Sequence, residues 1–335
     1  MSHAIKEHDK GAVGFTQVLG RTWHGIESYK HFDAEVNIEM AERVADYEVV
    51  KMPLYMQKEI PAVNGMSLKV NREVPKAFCL YRPDVDTILY PNVGEAYEIV
   101  SNMELLNFLE NSLFSEYGNL KIESIGTLNN GQNMFVNINV VMHEVSGDIS
   151  PTVTRLMFTN SYGGSSLTAC LHQTRIVCMN TLRIATAQGK ANDTLKRFRH
   201  TKNVSSHVQG HVLDLAGIVG EVHEHNEKLD FLATQSIDSA YMNTFLESLF
   251  PSENKEGRTK TLAENRKDKI TEIFESKVDL VQLPDTRYKL LNAVTDFTSN
   301  TGLNSKKDTA QKFMDVAKKG STDDINQKAL QLLTV

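Results

Sequence analysis

At 335 residues, 41% hydrophobic and 23% charged, the chain has room for one large domain or two ordinary ones and the make-up of a soluble globular protein. No apolar run reaches the roughly 18–20 residues a membrane span requires, and the start MSHAIKEHDKGAVGF lacks the apolar stretch of a secretory leader, so a cytoplasmic location away from membranes is expected. The net charge of −6 argues against a general nucleic-acid coat, and three cysteines are an odd count that reads as reduced, semi-buried thiols.

The first thirty-odd residues read as loop and short strands around the single Trp23. FDAEVNIEMAERVADYEVVKMPLY predicts a short helix over Val36–Val44 and a strand near Glu48–Tyr55. KAFCLYRPDVDTILY reads as a hairpin, because Arg-Pro-Asp supplies turn chemistry between two apolar runs. Ser101 or Asn102 can cap a helix on which Leu105, Leu106, Leu109 and Leu113 recur at helical spacing.

NLKIESIGTL and NMFVNINVVMHEV flank Asn-Asn-Gly-Gln, a turn that favours positive φ and so a second hairpin. In its second arm Met134, Val136, Ile138 and Val140 alternate with Asn137 and Asn139, which predicts one buried and one wetter face. TVTRLMFTNSY is a further strand. Gly163-Gly164-Ser165-Ser166 then forms a corner into the strand LTACLHQTRIVC. Asn180 is expected to open a short helix, NTLRIATAQG, and LKRFRHT is a basic strand or loop. Asn203 or Ser205 caps a long helix to about Leu232. Asp238 caps the next, which Pro251 stops, and SENKEGRTKT is a polar connector. Helices follow near Leu262–Lys277, Thr286–Thr298, Lys307–Lys318 and Asp323–Leu333. Strands followed by helices define an α+β class: a mainly antiparallel sheet with packed helices, then a helical C-terminal region. The division is an α+β core over residues 1–235, with its long helix at 203–232, and a helical region over 236–335.

Charge is unevenly spread. Between Ile149 and Leu213 eight basic residues meet only one acid, Asp193, so this stretch carries +7 and the remainder −13. Arg175, Arg183, Lys190, Lys196, Arg197, Arg199 and Lys202 could follow a phosphate backbone, with Phe198 or Tyr162 available to stack on bases; a solvated basic edge strand is the plainer reading of the same residues. His207, His211 and Asp214 share a helical stripe with Ile218, Glu221 and His225, a weak metal-ligand pattern that reads more simply as a polar helix flank. Cys178, in an apolar run, reads as a buried structural thiol. The sequence holds no phosphate-binding loop, no nucleophile elbow, no His-Glu-x-x-His and no dinucleotide fingerprint, so no cofactor is expected and catalysis is not the favoured reading.

YEIVSNMELLNFLENSL, NSYGGSSLTACLHQTRIVCMNTL, FRHTKNV and LLNAVTDF together resemble the phage/plasmid-like protein family, a domain-of-unknown-function family of phages, prophages and conjugative plasmids. The resemblance runs from about Tyr97 to Asn300. It rests on the strand end Tyr97–Asn102, the segment Ser161–Leu182, Arg199–Thr201 ahead of the long helix, and Leu249–Pro251. It implies a mobile-element context inside a host cell and supplies no catalytic residues. Three functions are carried forward: a non-enzymatic homo-oligomer binding single-stranded DNA in replication or recombination; a protein that occupies a host or phage factor; and a metal-dependent nucleic-acid enzyme using His207, His211 and Asp214.

Overall fold

The computed structural model describes residues 14–17, 30–32, 36–61, 67–115, 120–163, 167–175, 180–183, 195–201, 215–302, 306 and 321–335. Two sheets and a set of C-terminal helices make an α+β architecture. The larger sheet holds β1 (Gly14–Gln17), β2 (Lys30–Phe32), β6 (Lys121–Leu128), β7 (Asn133–His143), β8 (Thr152–Ser161), β9 (Leu167–Arg175), β10 (Asn180–Arg183) and β11 (Leu195–Phe198). Its order is β10-β9-β8-β7-β6-β1-β2, and β11 also pairs with β9. Every pairing is antiparallel except that of β1 with β2. The smaller sheet is β3 (Val50–Pro61), β4 (Ser67–Arg82) and β5 (Thr87–Gly94) in that order.

Local chemistry sets the joints. Asn129, Asn130 and Gly131 all have positive φ (54°, 58° and 89°), which only Asn, Asp and Gly adopt readily, and they carry the chain tightly from β6 into β7. Helix α1 (Ile38–Ala45) starts where Asn37 Oδ1 accepts from Met40 N at 2.9 Å. Helix α2 (Asn102–Phe108) opens on a reciprocal box: Ser101 Oγ accepts from Glu104 N at 3.0 Å, and Glu104 Oε2 accepts from Ser101 N at 2.6 Å. It continues as a wider π-type turn over Leu109–Phe114.

One face of the larger sheet packs Ile122, Ile125, Val136, Ile138, Leu156 and Phe158 against Val44 of α1, Leu105 and Leu106 of α2, and Leu109 of the turn that follows it. A second core is built by α3 (Leu215–Thr234), α4 (Ser239–Leu249), α5 (Gly257–Ser276), α6 (Val278–Val281), α7 (Arg287–Asp296) and α8 (Ser321–Thr334). Every residue of α7 after Arg287 is buried, which its polar members tolerate through partners: Lys289 pairs with Asp285 at 2.7 Å and Asp296 with Lys277. Helix α3 serves both cores, placing Val222 in the first and Leu229 and Leu232 in the second.

Three expectations need correction. Asn180 opens no helix: Asn180–Arg183 is strand β10, because its backbone groups close the ladder against Arg175–His172 of β9. The β7 alternation does not separate a dry face from a wet one, since Asn133 to Ile138 are all buried and Asn137 Nδ2 donates to Ser124 Oγ at 2.9 Å. The polar connector after Pro251 is shorter than expected, because helix α5 already begins at Gly257. The expected helix at Lys307–Lys318, the start of the long helix at Asn203–Ser205, and the corner residues Gly164–Ser166 lie outside the described residues.

Candidate functional site

Strand β9 is where the basic stretch and the structure first meet, and it removes residues from the phosphate-binding set. Arg175 is buried. Its Nε and Nη2 donate to Asp148 Oδ2 and Oδ1 at 2.6 and 2.7 Å, and its Nη1 donates to the Asp279 carbonyl at 3.2 Å. A guanidinium gripped on both prongs by a buried carboxylate has no fork left for a polyanion. Arg155 is held the same way: it is buried and donates from Nε and Nη2 to the two carboxylate oxygens of Glu123. Phe198 is buried in the first core and Tyr162 is fully buried with its hydroxyl donating to Val100 O at 3.1 Å, so neither presents a ring to a base.

What stays on the surface is narrower. Arg197 and Arg199 are exposed, on either side of the anchoring Phe198. Arg183 sits in β10 and Lys196 in β11, while Lys190, Lys202, His207, His211 and Asp214 lie outside the described residues. His225, grouped by the sequence with that polar flank, instead faces inward: it is buried and its Nε2 lies 3.2 Å from Gln173 Oε1. Burial, then the charges of Lys228 and His143, push its pKa down to about 4. Among the described residues no three His, Cys, Asp or Glu side chains are grouped to hold a metal ion. Cys79 and Cys170 are buried thiols, and Cys178 lies outside the described residues.

Arg175 belongs to a polar seam between β8–β9 and the helices. Tyr288 of α7 donates its hydroxyl to Asp148 Oδ2 at 2.9 Å, and burial first, then the Asp148 charge and this hydrogen bond, raise the phenol's pKa. Gln173 Nε2 donates to Asn226 Oδ1 of α3 at 2.9 Å, and His143 pairs with Asp230 of α3 at 3.0 Å. A small cleft lined by Thr152, Gln173, Arg175, Tyr288, Asn292 and Thr295 among others lies in this seam. Its polar groups largely satisfy one another, which makes the seam a clamp between sheet and helices rather than a ligand site.

A second joint links β11 to the smaller sheet. The His200 ring stacks on Tyr97 at 4.9 Å between centroids, and Glu98 N donates to His200 O at 3.1 Å. Burial lowers the His200 pKa, so the ring is neutral where it stacks. Lys51, at the foot of β3, donates to Tyr97 O at 3.1 Å and Glu95 O at 2.9 Å. On the other flank Arg82 lies over the Tyr47 ring at 3.8 Å and donates to Asn130 O at 3.0 Å, tying the smaller sheet to the β6–β7 turn. Arg199 therefore directly precedes the residue that is held against the segment leaving the smaller sheet.

That sheet carries the feature the sequence reading missed. Beyond Tyr55 and before Lys76, β3 and β4 pair only with each other and run through solvent as a two-stranded ribbon. The register sets Met56 beside Arg72, Lys58 beside Val70 and Ile60 beside Leu68, so one face is apolar with two cations. Tyr55, Gln57 and Glu59, opposite Glu73, Asn71 and Lys69, make the other face polar. Alternation through residues 54–60 and 68–74 could have shown this from sequence alone.

These observations define an α+β protein in which Arg155, Arg175 and His225 are held in buried contacts, while Arg197 and Arg199 are exposed and a two-stranded ribbon projects into solvent. No helix among the described residues is long and apolar enough to cross a membrane. Residues 91–328 match the family model described as Domain of unknown function (DUF932), and the chain belongs to that family. Comparison with curated proteins finds no match, and neither does comparison with solved structures.

Proposed function

We propose that this chain is a non-enzymatic protein of a phage or other mobile element that binds single-stranded DNA through the exposed cations of β11 and the ribbon's foot. The observation that carries the reading is the placement of Arg197 and Arg199. Arg197 lies in β11 and Arg199 just past its end, both exposed on either side of the buried Phe198, which holds the strand down. The exposed Lys76 follows at the adjoining foot of the smaller sheet, where the Lys51 bonds to Glu95 O and Tyr97 O and the Tyr97–His200 stack fix the two segments together. The mobile-element context comes from the sequence resemblance.

Anisotropy of a labelled oligo-dT across a salt series tests this. Each neutralised phosphate should contribute about −0.7 to the slope of log affinity against log salt, and Arg197→Glu with Arg199→Glu should weaken binding and flatten that slope. Salt-independent affinity, or a double variant that binds as tightly as the parent, refutes the reading. The apolar ribbon face favours a second reading, a protein that occupies a host or phage factor. A pull-down from host lysate that keeps its partners after nuclease treatment supports it.

A further inference from the structure

The ribbon's sequence is patterned for burial it does not have. Period-two alternation of apolar and polar residues marks a strand pair with one packed face. Here Met56 is 54% exposed, Ile60 38%, Leu68 61% and Val74 36%. An isolated two-stranded ribbon is marginal in water, and a contiguous exposed apolar face marks an interaction surface. The two cations on that face, Lys58 and Arg72, say what the partner must offer: apolar contact flanked by carboxylates.

This molecule offers such a surface. On α3 the ring of Phe231 is 46% exposed, and on the same helix face the exposed Glu224 and Glu227 outnumber the one exposed cation between them and the ring, Lys228. The charge balance points the same way. Val50–Arg82 holds six basic residues and two acidic ones, a net +4, so with −6 for the whole chain every other residue together carries −10.

We propose that the apolar face of the β3–β4 ribbon lies along α3 of a second copy of this chain, with Lys58 and Arg72 facing Glu224 and Glu227, and that the two copies exchange arms reciprocally. Area favours exchange over a single contact. Seven paired positions make an arm about 24 Å long and roughly 10 Å wide, so one contact covers about 240 Å² on each side. Two contacts related by a two-fold axis bury about 1,000 Å² in all, the least that a specific interface requires, whereas one contact buries about half that.

Sedimentation velocity over a concentration series tests the proposal on the full chain, with circular dichroism confirming that each variant is folded. The parent should dimerise. Met56→Ser with Leu68→Ser should be monomeric, and Lys58→Glu with Arg72→Glu should weaken the dimer by about tenfold or more. Adding Glu224→Lys and Glu227→Lys to that charge-reversed arm should restore association. A parent that stays monomeric, or a dimer indifferent to the arm variants, overturns the proposal, and failure of the charge swap to rescue overturns the docking site on α3. If Met56→Ser with Leu68→Ser keeps its association state but loses oligonucleotide binding, the arm serves nucleic acid and the self-association proposal falls. The dimer does not depend on the DNA reading, since Arg197→Glu with Arg199→Glu should leave sedimentation unchanged.

Discussion

Replacing Asp148 by alanine should cost more stability than any single change on the molecular surface. The carboxylate accepts both prongs of Arg175, the Tyr288 hydroxyl at 2.9 Å and the Ser150 amide at 2.9 Å, and its side chain is fully buried. Its removal leaves a buried guanidinium without its counter-charge, a situation that costs about 3–5 kcal/mol. With an unfolding entropy near 2.1 cal/mol/K per residue, that loss lowers Tm by about 4–7 °C for a chain of this length. Differential scanning calorimetry gives the value directly. Adding Arg175→Met to the Asp148→Ala background removes the stranded charge, so the double variant should melt above Asp148→Ala alone. If Asp148→Ala melts within about 1 °C of the parent, the seam is not the clamp described and the burial argument fails.

Three further outcomes follow from other joints. His225 titrates at about 4 when folded against 6.5 ordinarily. Its contribution is therefore intact above pH 6.5 and is lost as pH falls toward 4, with about 2 kcal/mol gone by pH 5. His225→Gln should flatten that part of the stability–pH curve, measured by denaturant titration, and an unchanged curve would mean the imidazole is not held neutral. Ser101→Ala breaks the reciprocal cap of α2 and should cost about 1 kcal/mol by the same titration. Gly131→Ala must place a Cβ 2.4 Å from Arg82 Nη1 at φ +89°, so a loss of about 1–3 kcal/mol is expected, and a neutral result would show that Arg82 can leave the turn without penalty.

The sequence announced what nearest-neighbour chemistry controls. Ser101 and Asp238 cap helices because a short polar side chain reaches an amide three residues on, and the Asn-Asn-Gly turn is written in residues that accept positive φ. Arg175 reads as a surface cation because its carboxylate, Asp148, stands 27 residues away, and no local pattern marks two such residues as neighbours; the Arg155–Glu123 pair, 32 residues apart, is hidden in the same way. The strand at Asn180 was hidden for the complementary reason: its four residues carry weak intrinsic preference, and the waiting edge of β9 decides their conformation. The projecting ribbon was legible as alternation. It escapes a reading that looks for strands only where burial would justify them.

Asp148 and Tyr288 are separated by 140 residues. A ribosome adding about 5–20 residues per second therefore delivers the phenol roughly 7–28 s after the acid. Throughout that interval β8 and β9 present to water a margin that only the helices still being made can cover. Nascent chains of this protein pass through a stage in which the sheet is finished and its lid is not, and that stage is where a chaperone would find them.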